Sequence, residues 1–195
     1  MSRIKLIERE TKETSISLTL DLDGKGESQV DSGIGFFDHM LAGFAKHGSF
    51  NLKAAIKGDL IVDTHHTVED TGIVLGLAIK EALGDKKGIN RYGSFILPMD
   101  DALVMCAVDL SGRPYLSYDL SFASEKIGYL ETQTIREFFY AVSYSAGMNI
   151  HLKQLSGIND HHICEAAFKA FGKALKEACK IDPSSNEIPS TKGML

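Results

Sequence analysis

The sequence predicts an α+β fold that is internally duplicated, each half being a β-sheet covered on one face by two helices. Two observations predict this fold. The order of strands, a helix, a strand and a second helix occurs twice along the chain, and a motif of two histidines and a glutamate recurs at the same place in both copies. Stacked repeat folds need three or more units, so two copies do not make a solenoid. A pseudo-twofold domain whose sheets hide their apolar faces under helices fits better.

The first half is predicted from its apolar periodicity. Residues 14–21 (TSISLTLD) alternate polar and apolar side chains, as in a half-buried strand. Apolar residues at helical spacing predict two helices, which end at Gly48 and Gly84. The predicted elements of this half are strands at 14–21, 27–31 and 50–57 and helices at 36–47 and 65–83.

The second half runs in the same order and ends where Pro183 closes its last helix. Its predicted elements are strands at 93–98, 102–109, 115–120 and 149–154 and helices at 132–146 and 162–180. Residues 50–70 also align loosely with 148–166, each segment leading from an asparagine to the histidine pair. The predicted division is therefore 1–90 and 91–195, with both halves in one compact pseudo-twofold domain.

Composition excludes several classes of protein. The chain has 195 residues, 44% of them hydrophobic, and a formal net charge of -5, which argues against a general nucleic-acid binder. Three cysteines without a CxxC pair predict neither a disulfide framework nor a thiolate metal site. No signal peptide or membrane span is visible, so a cytoplasmic location is expected.

Histidine carries the strongest functional signal. Four of the seven histidines stand in two adjacent pairs. Each pair is followed three residues later by a glutamate, giving HHTVE at 65–69 and HHICE at 161–165, both at a predicted helix start. Two copies at equivalent places in a duplicated chain are hard to explain as structural filler, so the motifs predict metal binding.

Helix geometry divides these ligands between two ions. Positions three or four apart share a helix face, so the second histidine of a pair and the glutamate can aim at one point. Adjacent positions lie about 100° apart, so the two histidines of a pair bind different ions. The halves then exchange ligands, and the predicted sets are His66, Glu69 and His161 for one ion and His162, Glu165 and His65 for the other. His39 and His151, each one segment before its pair, are the expected fourth ligands.

Imidazole and carboxylate ligands without thiolate suit manganese, iron, cobalt, nickel or zinc. Four protein ligands would fill a tetrahedral zinc, whereas an octahedral ion keeps two positions open, which favours manganese. Two rival functions are also consistent with a pattern of histidine and glutamate ligands. A dinuclear hydrolase usually has bridging aspartates, and neither motif contains one. A protein that uses metal only for assembly would have closed coordination and no phosphate pocket.

Other polar residues are weaker candidates. Arg91, Arg113, Lys169 and Lys192 suit phosphate, although most basic side chains are solvated surface charges. Glu13 and the pair at 100–101 are possible acid–base groups. His47 has no partner glutamate, and it either contacts substrate or ends a helix.

At these residues the chain resembles the imidazoleglycerol-phosphate dehydratases of histidine biosynthesis. The resemblance covers nearly the whole chain in long segments that follow the order of the family. The matching segments are ERETKETSISLTLDLDG (8–24), GIGFFDHML (33–41), DTHHTVEDTGIVLG (63–76), GINRYGSFILPMDDAL (88–103), DLSGRPYL (109–116), GINDHHICEAAFKAF (157–171) and PSTKG (189–193).

The resemblance implies dehydration of imidazole glycerol phosphate to imidazole acetol phosphate, with two manganese ions per site that bind the substrate imidazole. Other divalent transition metals are possible. It assigns His39, His66, Glu69 and His161 to the first ion and His65, His151, His162 and Glu165 to the second. It implies a substrate site made of Glu13, His39, His47, His65, Glu69, Arg91, Arg113, His161, Lys169, Ser190, Thr191 and Lys192.

The family fold is the duplicated α+β unit of the ribosomal protein S5 domain 2-like class. The resemblance also implies a shell of twenty-four subunits with sites between subunits. For proton transfer, Glu13 is the first candidate and Asp100 the second.

Overall fold

The computed structural model describes residues 3–193 and 195. The first half contains β1 (Ile4–Glu10), β2 (Thr14–Asp21), β3 (Ser28–Asp31), α1 (Gly35–Gly48), β4 (Asn51–Gly58) and α2 (His65–Leu83). The second contains β5 (Tyr92–Met99), β6 (Ala102–Asp109), β7 (Tyr115–Asp119), the short β8 (Lys126–Ile127) and β9 (Leu130–Glu131), α3 (Thr132–Ala146), β10 (Asn149–Ser156) and α4 (Asp160–Cys179).

The two halves have the same sheet topology. The strand order is β1-β2-β4-β3 in one four-stranded sheet and β5-β6-β10-β7 in the other. All pairs are antiparallel except β3 with β4 and β7 with β10, which are parallel. Even the register corresponds, since Asp21 pairs with Asn51 and Asp109 pairs with Asn149. The predicted α+β duplication is confirmed, and this repeat supports the proposed division at residue 90.

Each sheet covers its apolar face with helices of its own half, and the helices of the two halves meet in pairs. Helix α1 packs against α4, and α2 packs against α3. Gly172 and Gly76 hold equivalent places in these pairs. A Cβ at Gly172 would lie 2.5 Å from the carbonyl oxygen of Phe44, and one at Gly76 would lie 2.8 Å from that of Val142. The absence of a side chain therefore lets each helix backbone approach its partner.

One buried apolar cluster runs through both halves and contains residues of all four long helices. The three cysteines, Cys106, Cys164 and Cys179, are part of it and are free and buried. Burial raises the pKa of Cys179 to about 12, so this thiol stays protonated. Within the described residues, no helix is both long and apolar enough to cross a membrane.

The sequence prediction missed the strand β1 and the short pair β8 and β9. The β1 sequence IKLIERE is highly charged, and its side chains are exposed or only half buried because β1 is an edge strand. It therefore lacks the apolar periodicity on which the prediction depended. The other elements lie where they were predicted, with ends shifted by a few residues.

Candidate metal centre

The junction between α1 and α4 brings three possible metal ligands together. His39 comes from the second turn of α1, and His161 and Glu165 lie one turn apart at the start of α4. Their ligand atoms all lie within 4.8 Å of one another. Glu165 is the centre of the group, since its two carboxylate oxygens lie 3.5 Å from His39 Nε2 and 3.2 Å from His161 Nε2.

The surroundings of Glu165 keep its carboxylate charged. Its side chain is 9% exposed, and Lys169 Nζ lies 2.8 Å from Oε1. Burial acts to raise the pKa of Glu165, but Lys169 and the two imidazoles outweigh it and leave the pKa below its ordinary value. The ring of Phe36 packs edge-on against His161 at 4.9 Å. At this site the charged carboxylate of Glu165 thus lies among a lysine and two histidines, one of which packs against an aromatic ring.

The equivalent motif at the start of α2 is more open. His65 Nε2 lies 3.4 Å from Glu69 Oε2, and the two side chains are 42% and 40% exposed. Among the described residues, no third histidine, cysteine or acid joins them as His39 joins the pair on α4. Within the described residues of one chain, this motif is therefore the less complete of the two sets of possible ligands.

The second histidine of each pair turns away from the glutamate toward aspartates and a glutamate. His66 Nδ1 lies 3.0 Å from Asp59, and its Nε2 lies 3.9 Å from Glu13. The hydrogen bond to Asp59 is the main cause of a raised His66 pKa.

On α4 the arrangement is similar. His162 Nδ1 lies 2.6 Å from Asp101, and its Nε2 lies 3.5 Å from Asp100. The pKa of Asp101 is held well below its usual range by hydrogen bonds from the Ile158 amide, from His162 and from the Asn159 amide. Glu13 and Asp100, the two candidates for proton transfer, therefore each lie beside the second histidine of a pair.

The family model for imidazoleglycerol-phosphate dehydratase matches residues 32–175, which include both histidine motifs and His39. The chain belongs to the imidazoleglycerol-phosphate dehydratase family. The imidazoleglycerol-phosphate dehydratase of Lachnoclostridium phytofermentans is 62% identical over 193 residues, 99% of this chain and 98% of that protein. That of Caldanaerobacter subterraneus subsp. tengcongensis is 57% identical over 97% of both chains.

Solved structures agree with the sequence comparison. The crystal structure of imidazoleglycerol-phosphate dehydratase from Staphylococcus aureus matches with a TM-score of 0.83 and 38% identity, over 92% of this chain and 99% of that one. The Pyrococcus furiosus enzyme, solved in complex with (S)-C348, matches with a TM-score of 0.84 and 36% identity, over 97% and 100%. The expected family and enzyme class are confirmed.

The grouping of ligands within one chain differs from the predicted sets. Both predicted sets paired the glutamate with the second histidine of its motif, three residues before it. In the dehydratase chain it is the first histidine, four residues before, that faces the glutamate. Within the single chain the second histidines contact aspartates instead, so the pairing of His66 with Glu69 and of His162 with Glu165 stays a prediction. His151 also lies apart, on the open face of its sheet beside Tyr115.

The predicted substrate residues fall into two places. Lys169 lies at the α1–α4 junction, and His47 lies near it in the last turn of α1. Burial and the nearby charges of Lys169 and Lys173 lower the pKa of His47.

Arg91 lies elsewhere, at the start of β5. Its Nε is 2.8 Å from Asp109, and its Nη1 donates to the carbonyl of Pro189, just before Ser190, Thr191 and Lys192. Arg113 lies in the β6–β7 loop, where Leu195 lies close to Gly112. The structure therefore gathers Arg91, Arg113 and the C-terminal segment at one end of the second sheet.

The sequence prediction did not find Asp59, and it treated Asp101 only as one of a pair of acids. Phe36 was also missed. No local spacing signals the two aspartates, because Asp59 contacts His66 across the loop between β4 and α2 and Asp101 contacts His162 from the β5–β6 turn.

Proposed function

We propose that this chain removes water from imidazole glycerol phosphate to give imidazole acetol phosphate, a step of histidine biosynthesis, with two manganese ions at each site. The observation that carries the proposal is the group of His39, His161 and Glu165 in a chain of this family. A buried carboxylate between two imidazoles is the donor set that a divalent transition metal prefers.

The distances in this group fit a shared ion. Ligands bound at about 2.1 Å to one metal are about 3.0–3.4 Å apart, depending on the angle between them. The two histidine nitrogens lie 3.5 and 3.2 Å from the Glu165 oxygens. His39, His161 and Glu165 would hold one ion, and His65 and Glu69 would hold the second. The remaining predicted ligands, His66, His151 and His162, would complete these sets from neighbouring copies.

A bound ion would stabilise negative charge on the substrate imidazole, which the reaction needs as its electron source. The chain's own residues do the rest. A carboxylate accepts the proton that leaves one carbon while the hydroxyl leaves the next carbon. We assign this role to Glu13 or Asp100, and their positions beside the Nε2 of a second histidine support the assignment. The ammonium of Lys169 keeps Glu165 anionic throughout.

Distance along α4 supports a site between subunits. His161 stands at the start of α4, whereas the Arg91 amide binds the Ala178 carbonyl near its end. At about 1.5 Å per residue these points are about 25 Å apart. A substrate with three carbons between its ring and its phosphate cannot span that length. The basic residues of one copy would therefore hold the phosphate of a substrate bound at the metal centre of another, as in the expected twenty-four-subunit shell.

The test is direct. Purified protein loaded with manganese is incubated with imidazole glycerol phosphate, and the products are followed by proton NMR. We expect the ketone of imidazole acetol phosphate, with no inorganic phosphate released. Release of phosphate without the ketone would indicate a hydrolase. Firm manganese binding with an unchanged substrate would favour a purely structural metal and overturn the proposal.

A further inference from the structure

The contact between Asp101 and His162 determines which ring nitrogen carries the proton. The two atoms, Asp101 Oδ1 and His162 Nδ1, are 2.6 Å apart. An ionised carboxylate can only accept a hydrogen bond, so Nδ1 must donate and must carry the proton. The lone pair of the neutral ring is then on Nε2. Only a nitrogen with a free lone pair can bind a metal ion.

Asp59 makes the same contact with His66. Its two carboxylate oxygens lie 3.0 and 3.3 Å from His66 Nδ1. Nδ1 is again the donor, and Nε2 again keeps the lone pair. In the neutral ring of both second histidines the proton is thus on Nδ1 and the lone pair is on Nε2, the nitrogen that faces Glu13 in one case and Asp100 in the other.

The two aspartates are not equivalents in the duplicated fold. Asp101 lies in the β5–β6 turn, immediately before β6, whereas Asp59 follows β4. The residue immediately before β2, which corresponds to Asp101, is Glu13, and it lies near His66 Nε2 rather than Nδ1. Different segments of the two halves therefore supply the same contact to the same ring nitrogen. Duplication alone does not explain this agreement, because it would have placed the two acids at the same position.

A role in anchoring the backbone does not account for both contacts either. Asp101 also accepts the backbone N–H groups of Ile158 and Asn159, at 2.7 and 3.0 Å, and so holds the segment before α4. Within the part of the chain that the structure describes, the Asp59 carboxylate hydrogen-bonds only His66. What the two aspartates have in common is a hydrogen bond with the imidazole of a histidine.

We propose that Asp59 and Asp101 are positioning residues, which hold His66 and His162 in the tautomer whose Nε2 is free to bind a divalent metal ion. The inference rests on the proposed function, since it assigns these histidines to the metal sites. A carboxylate behind a ligating histidine fixes both the tautomer and the direction of the ring, and its loss weakens metal binding.

Asparagine in place of each aspartate is the sharpest change. At position 101 the amide oxygen can still accept the two backbone N–H groups, and the amide nitrogen then faces His162 Nδ1. Because that nitrogen donates, the ring proton moves to Nε2, which can no longer bind an ion. Asp160→Asn is the matched control. Asp160 also anchors a loop, through the backbone amides of Ala123 and Ser124, but among the described residues its carboxylate hydrogen-bonds no imidazole.

The measurement is made on the full-length protein after its metal is removed. Titration with Mn²⁺, followed by the electron paramagnetic resonance signal of the free ion, gives the dissociation constants. We expect Asp59→Asn and Asp101→Asn each to weaken Mn²⁺ binding by about 10–100-fold at one site. Nitrogen-15 shifts of the metal-free protein, assigned with His66→Gln and His162→Gln, should show the proton moving from Nδ1 to Nε2. Asp160→Asn should change neither quantity.

Unchanged Mn²⁺ binding in both asparagine variants would overturn the inference, and so would an equal loss in Asp160→Asn. Because the Asp59 carboxylate hydrogen-bonds no other group among the described residues, its variant keeps the test valid if Asp101→Asn fails to fold. Failure of the proposed function looks different. In that case the unaltered protein binds Mn²⁺ but forms no ketone, while the shift of the ring proton in the variants is still observed.

Discussion

The two histidine motifs occupy equivalent places in halves of the same topology, yet their surroundings differ. At the start of α4, Glu165 is buried and contacts His39 and Lys169. At the start of α2, Glu69 is half exposed and contacts only His65 among the described residues. Duplication thus preserved the fold and the motif, while the neighbouring helix determines how complete each site is within one chain.

Two substitutions explain the difference. The residue four positions after the glutamate is Lys169 on α4 but Ile73 on α2. Counting back from the strand that follows each first helix, the position of His39 on α1 corresponds to Glu137 on α3. One site therefore gains an imidazole and an ammonium that the other lacks. Within one chain the second half therefore groups more possible ligands than the first half does.

The largest expected effect comes from removing the two glutamates in turn. Glu165→Gln should lower turnover and Mn²⁺ affinity by more than about 100-fold, because loss of a residue that only hydrogen-bonds a metal ligand already costs about 10–100-fold. Glu69→Gln should also reduce turnover but should leave one ion bound tightly. Metal content after gel filtration, together with ketone formation, checks both variants. Loss of both ions in Glu69→Gln would contradict the assignment of Glu69 to only one of them.

Replacement of Lys169, which the α4 motif has and the α2 motif lacks, should lower the free energy of unfolding. Lys169→Met leaves the buried Glu165 carboxylate without its ammonium partner, and breaking such a pair costs about 3 kcal/mol of unfolding free energy. Ile73→Met, at the equivalent position, keeps an apolar side chain of similar volume and should cost less than about 1.5 kcal/mol. Urea denaturation of the metal-free variants measures both values. Equal effects would mean that Lys169 does not stabilise Glu165.

The glycines at the contacts between paired helices allow the α1–α4 junction and the α2–α3 junction to be altered one at a time. Gly172→Ala and Gly76→Ala should each destabilise the fold by about 1–3 kcal/mol, because the new methyl group meets the backbone of the neighbouring helix. Only Gly172→Ala moves α1 relative to α4, and so only this variant should weaken the site that His39 shares with His161. Thermal unfolding and Mn²⁺ titration of the two variants make the comparison. Weaker Mn²⁺ binding at the α4 motif in Gly76→Ala, but not in Gly172→Ala, would contradict this prediction.

The smallest expected effect is the pH dependence that His47 contributes. Its pKa is lowered in the folded protein by burial and by Lys169 and Lys173. As the pH falls below about 6.5, the unfolded chain therefore takes up a proton on His47 before the folded chain does. Unfolding is favoured in that window, so this contribution makes stability fall as pH falls. His47→Gln should have a shallower decline of unfolding free energy between pH 7.5 and about 5.5. An identical slope in the unaltered protein and in His47→Gln would count against a contribution of His47 to the pH dependence.

The periodicity of the chain predicted most of the fold, because buried faces impose their own spacing on helices and strands. The edge strand β1 was not predicted, since a charged strand with little burial has no apolar periodicity. The candidate ligand histidines were singled out for a different reason. A motif that occurs twice at matched places stands out from chance, whereas single residues such as Asp59 and Phe36 do not.

The sequence by itself determined the family, the duplication and the eight candidate ligands, because these depend on residue types and their spacing. Tertiary structure decided which atoms face one another. A three-residue or a four-residue step along a helix places side chains on nearly the same face, so spacing alone did not determine which histidine of each pair faces the glutamate. Packing of α1 against α4 brought His39 to His161 and Glu165, while Asp59, in the loop before α2, and Asp101, in the β5–β6 turn, bind His66 and His162. These contacts cross between elements, so no local pattern of the chain contains them.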